Sequence, residues 1–301
     1  WLVEGASRLG HIFKLSPVFI GAIIIGFGTS LPEVLASASA SLKGSSGIAL
    51  GNIVGSNIAN IALITGVGLL IGAATMNAVK ARTDYKMMLG VSLLFAIICM
   101  TTNITPLIAG GFLLLLMGVL WFSMHSGRKH YDPADHEGME QPKLLPALGL
   151  VALGLAGLIA GAELLVSSSI GIAAALGVPE RVVGLTMVAL GTSLPELAAA
   201  TSAARRGKAD MILGNVLGSN VFNMLAAAGV GGLLLELNTK GLTLDLLVML
   251  CVALLLLPLF FISRTKAPTT PAQVLSMRML GGALLIAYLG YMVFTAMSGV
   301  A

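Results

Sequence analysis

Charged side chains are scarce in this sequence. They make up 10% of the 301 residues, whereas 57% are hydrophobic, and an average soluble domain carries about 25% charged residues. The stretches 44–79, 87–127, 211–235 and 279–301 contain no Lys, Arg, Asp or Glu. About 20 apolar residues suffice to cross a bilayer as a helix, and a β-barrel would show short alternating segments instead. The sequence therefore predicts an all-α polytopic membrane protein.

Further absences exclude other classes of protein. There are two cysteines, Cys99 and Cys251, and both lie inside apolar runs, so we expect packing residues rather than a disulfide or a metal site. The sequence has no Gly-Lys-Ser/Thr loop for nucleotides and no basic tract. We therefore expect no cofactor and no nucleic-acid partner. We expect a protein that functions as a monomer in the lipid bilayer.

The apolar segments predict ten spans. Their approximate bounds are 1–15 (a partial span), 17–42, 47–72, 86–102, 105–125, 144–176, 179–204, 211–235, 243–262 and 278–298. The one sizeable polar stretch, SGRKHYDPADHEGMEQPK at 126–143, contains two prolines and mixed charge, which is typical of an exposed linker. It divides the chain into a first half, 1–125, and a second half, 144–301.

An internal repeat decides the predicted architecture. Residues 28–60 read GTSLPEVLASASASLKGSSGIALGNIVGSNIAN, and residues 191–223 read GTSLPELAAATSAARRGKADMILGNVLGSNVFN. The two segments are offset by 163 positions without a gap, and 17 of 33 positions are identical. The identities concentrate in GTSLPE and in GN-x-x-GSN-x-x-N, and apolar composition alone would not repeat these polar residues.

The same offset indicates how the halves are oriented. About 20 apolar residues, Leu144–Glu163, precede the position of the second half that matches Trp1, and the first half has no counterpart to them. We infer that the first helix is truncated here and that each complete half holds five spans. Because five is odd, the second half enters the membrane from the opposite side, which is the inverted repeat of many secondary transporters.

Loop charges support this arrangement. With alternating spans, 14 of the 17 Lys and Arg residues fall on one side of the membrane, and only Lys43, Arg181 and Lys240 fall on the other. Positive charge accumulates in cytoplasmic loops. The sequence therefore predicts a multi-pass protein of the cell membrane (inner or plasma membrane), with the linker 126–143 in the cytoplasm and the C-terminus outside.

Two acidic residues, Glu33 and Glu196, interrupt the apolar segments at matched positions of the repeat. An acidic side chain at the centre of the bilayer costs about 2.5–3.5 kcal/mol on insertion scales. Because no Lys or Arg lies at comparable depth in the motif spans, we expect a bound cation to compensate the two charges. The alternative is a pair of protonated carboxyls that join neighbouring helices through hydrogen bonds.

A proline precedes each of these acids. Pro32 and Pro195 each remove one helical hydrogen bond and clash with the carbonyl four residues earlier, at Gly28 and Gly191. A carbonyl freed inside the membrane must be satisfied by protein or water, and it is also a good ligand for a hard cation. The alternative is a kink that serves packing alone.

Polar side chains extend the pattern to neighbouring turns. Thr29 and Thr192 lie four residues before the acids and share a helix face with them, and Ser30 and Ser193 follow. The next span of each half carries a polar stripe at four-residue spacing, formed by Asn52, Ser56 and Asn60 and by Asn215, Ser219 and Asn223. Such residues often join helices in lipid. Beside two Glu they favour an oxygen-lined site for Ca²⁺ or Na⁺.

Glycine is abundant, at 37 of 301 residues. The span that carries the polar stripe also has two glycines four residues apart in each half. They are Gly51 and Gly55 in the first half and Gly214 and Gly218 in the second. This spacing predicts close packing of the two repeat helices that carry these glycines.

GTSLPE followed by GN-x-x-GSN-x-x-N, present twice, resembles the paired repeats of the cation/calcium exchanger superfamily, in particular its prokaryotic sodium/calcium exchanger branch. The resemblance covers nearly the whole chain and implies ten helices in two inverted five-helix repeats. It implies a Ca²⁺ site formed by Glu33, Glu196, Thr29 and Thr192. It also implies flanking Na⁺ sites, lined by Ser30, Ser56, Ser193 and Ser219 and completed by backbone carbonyls near Gly26 and Ala189.

Asn60 and Asn223 fall at a position where some members of the superfamily carry one Asp. This sequence has Asn in both copies, so that additional negative charge is absent. We retain the two amides among the candidate metal ligands.

The predicted function is a secondary active antiporter that exchanges Na⁺ for Ca²⁺ by alternating access. An H⁺/Ca²⁺ antiporter of the same fold is the main alternative, because Glu33 and Glu196 could titrate. A cation channel could also use carboxylates and carbonyls, but inverted halves favour a transporter. An intramembrane enzyme would need a nucleophile with a base or a metal triad. The motif spans supply no His or Cys, so we expect no enzyme.

Overall fold

A computed structural model describes the chain except for Ser45 and residues 74, 75, 77, 130–142, 176–188, 263–269 and 299–301. Within the described residues the fold is built from helices, and one isolated antiparallel bridge joins Ile104 to Leu237. The prediction of an all-α protein is therefore confirmed.

The helices of the first half follow one another in the order that the apolar segments predict. They are α1 (Leu2–Phe13), α2 (Pro17–Phe19, the π-helical turns Ile20–Gly26, and Phe27–Thr29), α3 (Leu31–Leu42), α4 (Ser46–Ala59, the π-helical turn Asn60–Ile64, and Thr65–Gly72), α5 (Arg82–Thr101, after a 3₁₀ turn at Ala78–Ala81) and α6 (Pro106–Lys129).

The second half repeats this order. Its helices are α7 (Leu144–Ala175), α8 (Ala189–Thr192), α9 (Leu194–Arg205), α10 (Asp210–Phe222, the π-helical turn Asn223–Ala227, and Ala228–Leu234), α11 (Thr243–Leu255 and Leu257–Ile262) and α12 (Pro271–Ser298). Helix α6 continues to Lys129, so the predicted start of the linker at 126 is three residues inside the helix. The rest of the linker, and the predicted start of the span 179–204, lie outside the described residues.

Burial separates central helices from outer ones. Six described helical stretches are long and apolar enough to cross a membrane, and α2 with α3 forms a seventh as a pair bent by 42°. In their most apolar windows, α4 and α10 are 78% and 83% buried, whereas α6 and α12 are each 22% buried. Exposed apolar side chains such as Leu107 and Ile286 cover the outer helices. Helices α4 and α10 therefore form the centre, and α6 and α12 face lipid.

The two halves interleave rather than stand side by side. The segment Thr65–Gly72 of α4 packs against α12, and the matched segment Ala228–Leu234 of α10 packs against α6. Helix α1 packs along α7. Each half therefore completes the packing of the other.

The chain breaks at matched points in the two halves. Ser30 separates α2 from α3 with φ −88° and ψ 2°, and Ser193 separates α8 from α9 with φ −88° and ψ 3°. The sequence predicts a broken helix between Gly28 and Pro32 and between Gly191 and Pro195, and both breaks lie within these intervals. Each proline occupies the second position of the new helix, where its missing N–H costs no helical hydrogen bond.

Two glycines of α10 allow a close approach to α2. A Cβ atom on Gly214 would collide with the carbonyl oxygen of Val18, and one on Gly218 would collide with that of Ala22. The glycines of α10 do allow close packing, but the helix they contact is α2 and not the matched helix α4, as was expected. Gly51 and Gly55 have no described atom within 4 Å of a Cβ position, and the segment that matches Val18–Ala22 lies outside the described residues.

We predict that Gly214→Ala destabilises the protein by about 1–3 kcal/mol, because the added methyl group must push α2 away from α10. Gly118→Ala is the matched control, since Gly118 lies on exposed α6 with open space around its Cβ position. Thermal unfolding in detergent should show a lower midpoint for Gly214→Ala and an unchanged or slightly higher midpoint for Gly118→Ala. Equal midpoints for the two variants would contradict the close approach of α2 and α10.

Candidate cation-binding site

The two acidic residues lie in the first turns of the helices that follow the breaks. Glu33 is 1% exposed and Glu196 is 0% exposed. Each is the third residue of its helix, in α3 and α9 respectively. The N-terminus of a helix favours negative charge, because its backbone N–H groups lack helical partners and its dipole is positive there. The two breaks therefore create two positions where a carboxylate is tolerated inside the protein.

Contacts between the halves bring these two positions into one site. The Ser30 hydroxyl donates a hydrogen bond to Oε1 of Glu196 over 3.1 Å. Ser30 lies three residues before Glu33, at the break that precedes its helix, so this bond joins the break of the first half to the acid of the second. The matched motifs of the two repeats thus contribute side chains to one site.

A backbone carbonyl from α2 joins the same region. The Ser219 hydroxyl of α10 donates to the carbonyl oxygen of Gly26 over 3.1 Å. The Thr29 hydroxyl donates to the carbonyl oxygen of Ile25 over 3.0 Å. Gly26 is the position where the resemblance implies a carbonyl ligand, and the structure places Ser219 directly against it. Both belong to the set of candidate ligands.

Many buried polar atoms around these contacts have no hydrogen-bond partner among the described residues. On the predicted ligands and polar stripes they are one carboxylate oxygen each of Glu33 and Glu196, the hydroxyls of Ser56 and Ser193, and side-chain amide atoms of Asn60, Asn215 and Asn223. Leaving a buried polar group unpaired costs about 1–3 kcal/mol. The carboxylate, hydroxyl and amide oxygens among these atoms suit binding of water or a hard cation.

The remaining predicted residues occupy different positions relative to this centre. Thr192 ends α8 and is partly exposed, and Ala189 begins the same helix. Asn52 points its amide group at α3, donating to the Glu33 carbonyl over 3.2 Å and to the Ser37 hydroxyl over 3.0 Å. It therefore holds α3 against α4 instead of facing the unsatisfied oxygens.

The site does not have the composition of a transition-metal centre. No group of three or more His, Cys, Asp or Glu side chains close enough to hold a metal ion occurs within the residues that the structure describes. Two carboxylates surrounded by hydroxyl, amide and backbone oxygens remain. Hard cations prefer such oxygen ligands.

Comparison with known proteins decides the family. The family profile for sodium/calcium exchanger proteins matches residues 1–125 and 146–297. The chain belongs to the sodium/calcium exchanger family. The resemblance seen in the doubled motif is therefore confirmed, and the family consists of transporters rather than enzymes.

Individual relatives cover most of the chain. It is 32% identical over 303 residues to the sodium/calcium exchanger MaX1 of Methanosarcina acetivorans, with 87% of this chain and 86% of that protein covered. It is 34% identical over 266 residues to the inner membrane protein YrbG of Escherichia coli, covering 84% and 81% respectively. The solved structure of the sodium-calcium exchanger NCX_Mj superposes with a TM-score of 0.81 at 31% identity, covering 96% of this chain and 90% of that one.

Proposed function

We propose that this sodium/calcium exchanger family member is a secondary antiporter that exchanges Na⁺ for Ca²⁺ by alternating access. The observation that carries the proposal is the hydrogen bond between Ser30, at one helix break, and Glu196, after the other, with both Glu33 and Glu196 buried. Two carboxylates balance one Ca²⁺ or about two Na⁺. The ions therefore compete for the same oxygens, and binding of one favours release of the other.

The proposed ligands divide by chemistry. Glu33 and Glu196, with the hydroxyls of Thr29 and Thr192, hold Ca²⁺. Na⁺ binds at flanking positions lined by neutral oxygens, from the hydroxyls of Ser30, Ser56, Ser193 and Ser219, the carbonyls of Gly26 and Ala189, and the amides of Asn60 and Asn223. The short contacts Ser30–Glu196 and Ser219–Gly26 support this assignment, because each joins a proposed Na⁺ ligand to another member of the set.

Charge explains why transport is coupled. An empty pair of carboxylates is costly inside the membrane, so reorientation without a bound ion is slow. A site loaded with either Ca²⁺ or Na⁺ is close to neutral and can change the side to which it opens. Exchange follows, since each passage across the membrane requires an ion.

Na⁺ is the proposed counter-ion for a structural reason. A proton needs only the carboxylates, whereas the buried hydroxyl of Ser56 and the amide of Asn223 add neutral oxygens that a proton does not require. Neutral oxygens suit Na⁺, which must replace its hydration shell. The relative MaX1 is named a sodium/calcium exchanger, which agrees with this choice.

We place the protein in the cell membrane, which is the inner membrane in cells that have two. The relative YrbG is named an inner membrane protein, which agrees with this choice. Residues 1–125 and 144–301 form the two inverted repeats. The linker 126–143 lies in the cytoplasm, the C-terminus lies outside, and the transporting unit is a monomer.

Glu33→Gln and Glu196→Gln should each abolish Ca²⁺ transport in proteoliposomes while leaving a folded protein. A neutral amide of the same size leaves Ca²⁺ with only one compensating charge. Glu236→Gln is the matched control, because Glu236 lies in an exposed loop beside Asn103. Near-normal uptake by either buried variant would contradict the assignment of the site.

The proposed orientation predicts which loops an impermeant thiol reagent reaches on intact cells. Single cysteines at Lys43 and Arg181 should react, and cysteines at Lys80, Arg205 and in the linker 126–143 should not. Permeabilised cells provide the control, since all five positions should then react. Labelling of the linker from outside would overturn the inverted arrangement.

Transport should not depend on K⁺. With Asn60 and Asn223 both neutral, the site holds only the charges of Glu33 and Glu196, and an amide cannot offset a further cation. Na⁺-driven Ca²⁺ flux should persist when choline replaces K⁺ on both sides. Asn223→Asp should change ion selectivity or slow turnover, because a third buried carboxylate must be neutralised in every state. A strict K⁺ requirement of the unaltered protein would refute this reading.

A further inference from the structure

Two buried asparagines, Asn57 and Asn220, lie next to proposed ligands in the sequence but do not belong to the proposed ligand set. Asn57 follows Ser56, and Asn220 follows Ser219, at positions offset by the same 163 residues as the rest of the repeat. Asn57 is 0% exposed and Asn220 is 1% exposed. A side chain with two donors and an acceptor is costly at such a position unless it makes a specific contact.

The contact joins the two central helices. The side-chain amide of Asn220 donates a hydrogen bond to the backbone carbonyl of Asn57 over 3.4 Å. Helices α4 and α10 contact each other around their π-helical turns, Asn60–Ile64 and Asn223–Ala227. These turns begin three residues after Asn57 and Asn220, respectively. The hydrogen bond therefore lies where the ion-binding stripes of the two halves cross.

The contact is not reciprocal. The side-chain amide of Asn57 does not reach back to α10 but faces the sulfur of Met249 in α11 over 3.7 Å. A thioether is a weak acceptor. The hydrogen bond between α4 and α10 therefore depends on the side chain of Asn220. Asn57 contributes only its backbone carbonyl, so its side chain can be changed without removing the bond.

Helix geometry links this contact to the ion site. Successive residues of an α-helix project about 100° apart. Ser219 projects toward Gly26 of α2, and Asn220 projects toward α4. Asn223 lies four residues after Ser219 and three after Asn220, so it projects between these two directions. Two hydrogen bonds on different sides of α10 therefore fix its rotation about its own axis.

We propose that Asn220 is a positioning residue for ion binding. By binding the Asn57 carbonyl, it sets the rotation of α10 and thereby aims the Ser219 hydroxyl and the Asn223 amide at the ion. It is not itself a ligand. The proposal rests on the proposed function, because it assumes that Ser219 and Asn223 bind the transported ions.

The repeat supplies a matched pair of variants. Leu has nearly the shape of Asn but cannot donate a hydrogen bond, so Asn220→Leu removes the contact. Asn57→Leu makes the same chemical change one repeat away and keeps the backbone acceptor. The half-saturating Ca²⁺ concentration for Na⁺-driven uptake into proteoliposomes is the readout, because it does not depend on how much protein has folded.

Asn220→Leu should raise the half-saturating Ca²⁺ concentration about tenfold, the scale of losing one buried hydrogen bond and leaving its acceptor unpaired. It should raise the half-saturating Na⁺ concentration as well, because α10 carries proposed Na⁺ ligands. Asn57→Leu should change both concentrations less than about threefold. Asn220→Ala, which also lacks the donor, should behave like Asn220→Leu.

Equal shifts in the two Leu variants, or a larger shift in Asn57→Leu, would overturn the proposal. So would failure of both Asn220 variants to fold while Asn57→Leu folds, since the bond would then serve folding rather than ion affinity. If the unaltered protein takes up no Ca²⁺ under a Na⁺ gradient, the proposed function fails first, and that result is distinct from any difference between variants.

Discussion

Two carboxyl groups in the interior of a membrane protein need compensation, and much of this fold supplies it. Glu33 and Glu196 are almost completely buried, and each lies in the first turn of a helix, where backbone N–H groups and the helix dipole favour negative charge. The helix breaks at Ser30 and Ser193 create those first turns. Without the breaks, each acid would sit in the middle of a continuous membrane helix, where nothing offsets its charge.

The inverted arrangement of the halves explains why one site results and not two. The breaks have the same backbone conformation, and α4 and α10 carry π-helical turns at matched positions. Close packing of α10 on α2 through Gly214 and Gly218 brings Ser219 to the carbonyl of Gly26. The site is thus assembled from both repeats.

The sequence alone predicted the helical class, the pair of buried acids and most described spans to within about four residues, although the last span begins at Pro271 and not at 278. These features depend on hydropathy, on the spacing of polar residues and on an internal repeat, all of which are local or visible by self-comparison. The prolines indicated a break between Gly28 and Pro32, where it occurs, but not that each proline would begin the new helix, which depends on its acceptance in a first helical turn.

Contacts between distant residues were harder to foresee. Nothing in the spacing indicated that Ser219 would donate to Gly26, or that Asn220 would donate to the backbone of Asn57. Asn52 belongs to the predicted polar stripe, yet its amide binds α3. Such details depend on the rotation of each helix about its axis, and tertiary packing and π-helical turns set that rotation. The identity of Asn57 and Asn220 in the two repeats was the available signal.

If Na⁺ is the counter-ion that competes with Ca²⁺ for a single site with two carboxylates, a Na⁺ gradient alone should drive Ca²⁺ transport. This can be tested by Ca²⁺ uptake into proteoliposomes under two imposed gradients, one of Na⁺ with pH equal on both sides and one of pH without Na⁺. We expect rapid uptake driven by the outward Na⁺ gradient and no uptake above the protein-free background driven by the pH gradient. Uptake that a pH gradient drives in the absence of Na⁺ would contradict this expectation.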